Sequence, residues 1–298
     1  MSTPAYPTVP AKTLVTRTKS TEWFGSEYNM NIYRGCPHGC IYCDSRSDCY
    51  RNPDFDTVKV KEDALRIIRD DLRRKVKIGV IATGAMSDPY NPLEAELELT
   101  RHALELAAAY GFGIAIATKS PLVTRDIDIL GEIALKAPVI VKMTVTTADD
   151  DLCRKIEPGV APSSRRLDAV KQLRGAGIYA GLLMMPILPY INDTEANTEG
   201  ILTGAKDSGA RFIYPAFGLT MRDGRREYLY NQLDRRFPGL RETYQRRYGT
   251  RYYCPSPRAK QLYHHFAARC DELGLLYNMR DIISDYKMGY EAPQMRLF

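Results

Sequence analysis

An α/β chain of about six parallel strand–helix units is the fold class this sequence predicts, and three observations carry it. Short apolar, β-rich runs of strand length recur between Lys77 and Leu219. Amphipathic stretches, with apolar residues three and four apart, lie between them. Past Leu219 the alternation stops and the remainder reads as helical. Such alternation implies parallel strands joined by right-handed crossovers, either as an open doubly wound sheet or as part of a (βα) barrel. Both architectures place ligands at the carboxyl ends of the strands.

The elements follow in order. "MSTPAYPTVPAKT" reads as a Pro/Thr-rich flexible lead-in, extending to residue 25, and a first strand should run into "NIYRGCPHGCIYC" (Asn31 to Cys43). In "KEDALRIIRDDLRRK", Leu65, Ile68 and Leu72 share one helical face. "KIGVIATG" is a buried strand ending in a glycine turn. "PLEAELELTRHALELAAAYG" is one helix, with Pro92 near its start and Gly111 past its end. "GFGIAIATK" is a strand and "TRDIDILGEIALK" a helix capped by Thr124. "APVIVKMTVTT" is a strand, and "PSSRRLDAVKQLRGAG" a helix closed by Gly175 and Gly177. "IYAGLLMMPIL" is a strand, "TEANTEGILTGAKDSG" a helix and "ARFIYPAFGL" the last strand. The chain then divides into a body at 26–222, a helical extension at 223–291 and an exposed tail at 292–298.

The 298 residues, 44% of them hydrophobic, suffice for one large core. A mean hydropathy of −0.34 and 26% charged residues describe a soluble globular chain. The most apolar run, "GIYAGLLMMPILPYI", carries two prolines and is too short to span a bilayer. No apolar core of a signal peptide opens the sequence. Seven cysteines, three bunched and four scattered (Cys49, Cys153, Cys254, Cys270), do not suit a secreted disulfide framework. The expected compartment is a reducing cytoplasm, where clustered cysteines point to metal or redox chemistry.

The bunched cysteines are spaced Cys36-x3-Cys40-x2-Cys43, with Gly35 and Gly39 among them. Three thiolates can hold three irons of a 4Fe–4S cluster and leave the fourth open. The alternative is a four-ligand zinc site completed by Cys49 or His38, as in a non-catalytic nucleic-acid adaptor. Glycines beside the thiols let backbone amides approach the sulfurs, which suits one loop wrapped round one inorganic centre.

Cys-x3-Cys-x-aromatic-Cys after the first strand of a (βα) fold resembles the radical S-adenosylmethionine (radical SAM) superfamily, which implies a partial (βα)6 TIM-type barrel with a helical C-terminal extension. The resemblance implies that Cys36, Cys40 and Cys43 bind a 4Fe–4S cluster whose open iron chelates S-adenosylmethionine. The cluster, reduced by a donor such as flavodoxin or ferredoxin, then generates a 5′-deoxyadenosyl radical. It implies also that Tyr42 packs near the adenine. Further segments, covering roughly Met30 to Leu219, resemble the spore photoproduct lyase-like branch. In "ATGAMSDPYNPLE", Ser87 and Asp88 match the segment that contacts the cofactor's amino group. Lys119 in "ATKSP" matches a cation for its carboxylate, and Thr144 stands where the branch tends to have a serine near that carboxylate. Met185 in "MMPIL" matches a residue beside the adenosine. The Glu-Pro-Gly and Arg-Leu-x-Ala patterns of "CRKIEPGVAPSSRRLDAV" also fit. The sequence departs from true spore photoproduct lyases at Ala85, where they carry the cysteine that returns a hydrogen atom to the repaired thymine. A different substrate is therefore expected: damaged or modified DNA first, with RNA, a peptide or a small molecule as the alternatives.

Two features bear on partners. The terminal "EAPQMRLF" resembles the peptide with which bacterial repair enzymes dock on the replication sliding clamp. Met295, Leu297 and Phe298 would fill an apolar cleft and Gln294 would supply hydrogen bonds. The window Arg222–Arg251 holds nine arginines against four acids, a net +5 within the chain's +6, interleaved with tyrosines. That pattern suits nucleic acid, or equally the solvated face of an amphipathic helix.

Overall fold

The computed structural model describes residues 6–290. Its centre is a seven-stranded sheet of β1 (Val15–Arg17), β2 (Tyr28–Met30), β3 (Val80–Thr83), β4 (Gly113–Thr118), β5 (Val139–Thr144), β6 (Ala180–Met184) and β7 (Ile213–Pro215). The strands lie side by side in chain order. β2 to β7 are parallel, and β1 joins the edge antiparallel to β2. Successive parallel strands are linked by α1 (Ala64–Arg73), α2 (Leu99–Ala109), α3 (Ile127–Ala134), the pair α4 (Asp150–Ile156) and α5 (Ser163–Gly175), and α6 (Glu195–Asp207). β1 and β7 form the two edges, so the six-unit sheet is open: the expected partial barrel.

The two-residue period of the strands sorts their side chains onto two faces. Ile81, Ile114, Ile116, Val141, Met143, Leu182 and Ile213 pack with the helices in the main core. Val80, Ala115, Ile140, Leu183 and Phe212 meet Phe24, Ile282 and Tyr286 in a second core on the other face. A third cluster joins the cysteine loop (Cys40, Ile41, Tyr42) to the C-terminal extension through Leu219, Leu229, Leu233 and Tyr244. The extension comprises α7 (Arg225–Arg236), α8 (Leu240–Tyr248), α9 (Ala259–Leu273) and α10 (Met279–Lys287). It is not all helix: its strand β9 (Tyr253–Pro255) pairs antiparallel with β8 (Gly218–Thr220) at the end of the body.

Several local expectations are corrected. Within the lead-in expected up to residue 25, residues 13–17 are tied to the body: β1 pairs with β2, and the Asp71 carboxylate accepts hydrogen bonds from the Leu14 and Val15 N–H groups and the Thr13 hydroxyl. The helix expected over 92–111 breaks at Glu98, which adopts φ +49°. Glu94, fully buried, turns its carboxylate to the Thr100 N–H at 3.0 Å and so restarts the helix there. Ser120 caps the short 3-10 turn Pro121–Asp126 that leads into α3, its hydroxyl accepting from the Leu122 N–H, whereas Thr124 donates to the Pro121 carbonyl. α4, capped by Asp149, was not expected. The tail residues Gln294, Met295, Leu297 and Phe298 lie outside the described residues. No helix among the described residues is long and apolar enough to cross a membrane.

Candidate active site

A cavity of about 440 Å³ opens at the carboxyl ends of β3 to β6. Cys36, Cys40 and Cys43 all line it, with Tyr42, Ala85, Ser87, Asp88, Lys119, Thr144 and Met185. Every cluster and cofactor residue expected from the sequence therefore faces one space, within the size range of ligand pockets.

The cysteine loop takes its path from close backbone approaches. Gly35 has φ +86°, and a Cβ there would fall 2.3 Å from the Thr57 carbonyl oxygen. The Cys36 N–H donates to the Phe55 carbonyl at 2.7 Å, and the Ile41 N–H to that of Ile156 at 3.0 Å. Burial raises the Cys36 thiol to about 11, with Asp88's charge adding to the rise, while the backbone N–H groups of His38 and Asp88 favour its thiolate. Burial likewise raises Cys40, opposed by Lys119. Binding a cation would displace these thiol protons.

The donor set fits a 4Fe–4S cluster, with three thiols on one wall and amides aimed at a sulfur. Among the described residues no three His, Cys, Asp or Glu side chains gather around a single-ion position. The candidate fourth zinc ligands are otherwise engaged. Cys49 is exposed and lies 3.9 Å from an Arg222 nitrogen, and His38 Nδ1 lies 3.6 Å from Asp88. Burial lowers His38, which favours the neutral ring.

Asp88 is more tied down than the sequence suggested. It accepts hydrogen bonds from the Tyr90 N–H (2.9 Å), the Thr118 hydroxyl (2.6 Å) and the Lys119 N–H (2.8 Å). A carboxylate has about four acceptor positions, so roughly one remains for a ligand. The Ser87 hydroxyl donates to the Gly35 carbonyl, fastening the Ser-Asp segment to the cysteine loop. The Lys119 ammonium lies 5.7 Å from the centroid of the Tyr42 ring. Burial works against its charge, but Cys40 and Glu157 raise its pKa above the ordinary value, so it stays cationic.

Sequence reasoning missed the ionic group beneath this wall. Glu157 and Arg166 are both 0% exposed and form an ion pair at 2.6 Å. The Tyr42 hydroxyl also donates to Glu157. Arg166 donates to the Ala161 carbonyl (2.7 Å), the Thr144 carbonyl (3.0 Å) and Cys153 Sγ (3.2 Å). Burial alone would raise Glu157; Arg166 and Lys119 bring it below the usual carboxylate range. This group fixes the tilt of Tyr42 and the end of β5. The only signal in the sequence was the Glu-Pro-Gly and Arg-Leu patterns, which carry no spacing that pairs the two residues.

The arginine window is largely spent inside the protein. Arg222 Nε lies 2.8 Å from Asp44, Arg226 donates to the Gly249 (2.6 Å) and Arg251 (2.8 Å) carbonyls, and Arg241 bridges Glu227 and Asp234. Tyr230, Tyr244 and Tyr248 are buried. Arg235, Arg246, Arg247 and Arg251 remain exposed with Tyr252 and Tyr253, and Tyr253 also lines the cavity.

Comparison with known proteins agrees with this arrangement. The description "Radical SAM superfamily" matches residues 30–198. An uncharacterized protein of Mycobacterium tuberculosis is 32% identical over 235 residues, 76% of this chain and 69% of that protein. Another, of Methanocaldococcus jannaschii, is 32% identical over 174 residues, 57% of this chain and 64% of that one. Among solved structures, spore photoproduct lyase complexed with dinucleoside spore photoproduct superposes with a TM-score of 0.63 at 17% identity, covering 88% of this chain and 77% of that one. A radical S-adenosylmethionine methyltransferase from Kitasatospora setae, with tryptophan substrate and a SAM analogue bound, gives 0.53 at 12% identity, covering 82% and 51%. At such identities the likeness is one of fold.

Proposed function

The chain belongs to the radical SAM superfamily, whose members use a 4Fe–4S cluster and S-adenosylmethionine, and from that premise we propose that it is an enzyme performing radical hydrogen abstraction on damaged or modified DNA. The observation that carries the chemistry is the shared cavity: three thiols, a carboxylate and a buried ammonium meet at the strand ends. In this reading Cys36, Cys40 and Cys43 hold the cluster. The remaining acceptor position of Asp88 takes the cofactor's ammonium, assisted by Ser87. Lys119 takes its carboxylate, beside the Thr144 hydroxyl. Tyr42 and Met185 flank the adenosine. When bound, the group supplies a 5′-deoxyadenosyl radical; the protein orients it and excludes water.

Support for DNA comes from the exposed Arg246, Arg247, Arg251, Tyr252 and Tyr253, the last of which lines the cavity, and from the fold shared with a lyase solved with a dinucleoside lesion. The reaction differs from that lyase's route. Ala85 lines the cavity without a thiol, and Cys49, Cys153 and Cys254 are not among the lining residues. The C-terminal peptide would bring the enzyme to a sliding clamp; equal clamp recovery with and without the last five residues would remove that part. The decisive test is anaerobic turnover with dithionite, irradiated DNA being compared with RNA. Formation of 5′-deoxyadenosine coupled to a mass change in DNA is expected; cofactor cleavage indifferent to any nucleic acid would overturn the DNA assignment.

A further inference from the structure

Arg225 is the first residue of α7 and is 1% exposed. Among the described residues its Nε and both terminal nitrogens have no hydrogen-bond partner. Its nearest acid is Asp44, whose Oδ1 lies 3.8 Å away, beyond hydrogen-bond distance. Asp44 already accepts from the Thr220 hydroxyl at 2.8 Å and lies 2.8 Å from Arg222 Nε. One carboxylate thus faces two guanidiniums, a local surplus of one positive charge. Its other titratable neighbours are Cys43, Cys254 and Tyr244, and burial holds the Cys254 thiol and the Tyr244 phenol in their neutral forms. Proteins rarely keep a buried guanidinium without an acceptor, because desolvation then goes uncompensated.

The position of this surplus is specific. Asp44 directly follows Cys43, and Cys43 packs into the same cluster of side chains as Leu229, Leu233 and Tyr244 around α7. The approach is also locked from the extension's side. The Asp48 N–H and the Ser47 hydroxyl donate to the Asp223 carbonyl, and the Arg46 guanidinium lies 4.1 Å from the centroid of the Tyr228 ring. The start of α7 is thereby held against the loop that follows the third cysteine.

Resting on the cluster assignment above, we propose that Arg225 is the positioning and counter-charge residue of the Cys43 side of the iron–sulfur centre, stabilising its reduced state. A 4Fe–4S core with three thiolates carries −1 when oxidised; one electron from a one-electron protein donor, or from dithionite, takes it to −2 with no proton transferred. A fixed buried cation favours the second state over the first, since net charge and hydrogen bonding around the sulfurs set the potential.

The test is an anaerobic, EPR-monitored redox titration of the reconstituted full chain without substrate, with iron and sulfide counted, for wild type, R225Q and R225K. R225Q is expected to load its cluster and to be at least tenfold harder to reduce, about 59 mV for a one-electron couple. R225K should lie close to wild type. An R225Q midpoint equal to wild type, or an R225K midpoint displaced as far as that of R225Q, overturns the proposal. If R225Q takes up no iron, R225K decides: loading by R225K alone supports the counter-charge, and loss in both variants of a folded protein makes the residue merely structural. Wild-type protein that takes up no iron would instead remove the function proposed above.

Discussion

Two arginines are buried at the base of this site, and they are opposites. Arg166, on α5, is paired with Glu157 and donates to two carbonyls and a sulfur, so its nitrogens are satisfied within the fold. Arg225, on α7, has no hydrogen-bond partner among the described residues. The first supports the wall on which Tyr42 and Thr144 stand. The second faces the loop after Cys43 with charge to spare. The same side chain thus serves as a finished structural tie in one place and as a group awaiting its acceptor in the other. The difference lies in partners, since both are equally withdrawn from water.

Breaking the finished tie should have the largest effect. Arg166→Met leaves Glu157 buried and unpaired, and should cost roughly 3–5 kcal/mol in denaturant unfolding. A double variant with Glu157→Gln should recover much of that loss. A loss below about 1 kcal/mol would show that the pair is not the support described. The unfinished tie should respond with the other sign. In cluster-free protein, Arg225→Met removes an uncompensated charge and should be neutral or stabilising by about 1–4 kcal/mol. A strong destabilisation would mean that Arg225 has a partner in the folded apo chain.

A third buried cation sharpens the contrast. Lys142 points from β5 into the second core, with Nζ 4.7 Å from the centroid of the Phe24 ring. Burial lowers its amine from the ordinary 10.5 to about 7. Between those values the unfolded chain binds more protons than the folded one, so stability should rise with pH across that window. The slope is at most about 1.4 kcal/mol per pH unit, and Lys142→Met should abolish it while stabilising the protein most at neutral pH. An unchanged slope in unfolding measured from pH 7 to 10 would refute this.

The smallest effect on stability belongs to exposed cations. Replacing Arg246, Arg247 and Arg251 by alanine should move stability by no more than about 0.5 kcal/mol each. It should nevertheless weaken DNA binding and flatten its salt dependence. Retention of affinity and salt slope would confine the extension to supporting the cysteine loop.

The sequence by itself determined the strand–helix order, because periods of two and near four are written in local residues. It also offered the cluster and cofactor candidates: the spacing of Cys36, Cys40 and Cys43 within one loop pointed to an inorganic centre, and resemblance to radical SAM motifs singled out Ser87, Asp88, Lys119, Thr144 and Met185, which line the same cavity. The break at Glu98 was illegible, since it depends on where Glu94 turns its carboxylate rather than on helix propensity. Only the tertiary structure decided how the site is held. Glu157 reaches Tyr42 across 115 residues of chain, and Asp44 meets Thr220 across 176. Ion pairs and hydrogen bonds between distant segments leave no period and no spacing in a sequence. Whether a buried charge is satisfied or left over is therefore settled only when the chain has folded and its neighbours can be counted.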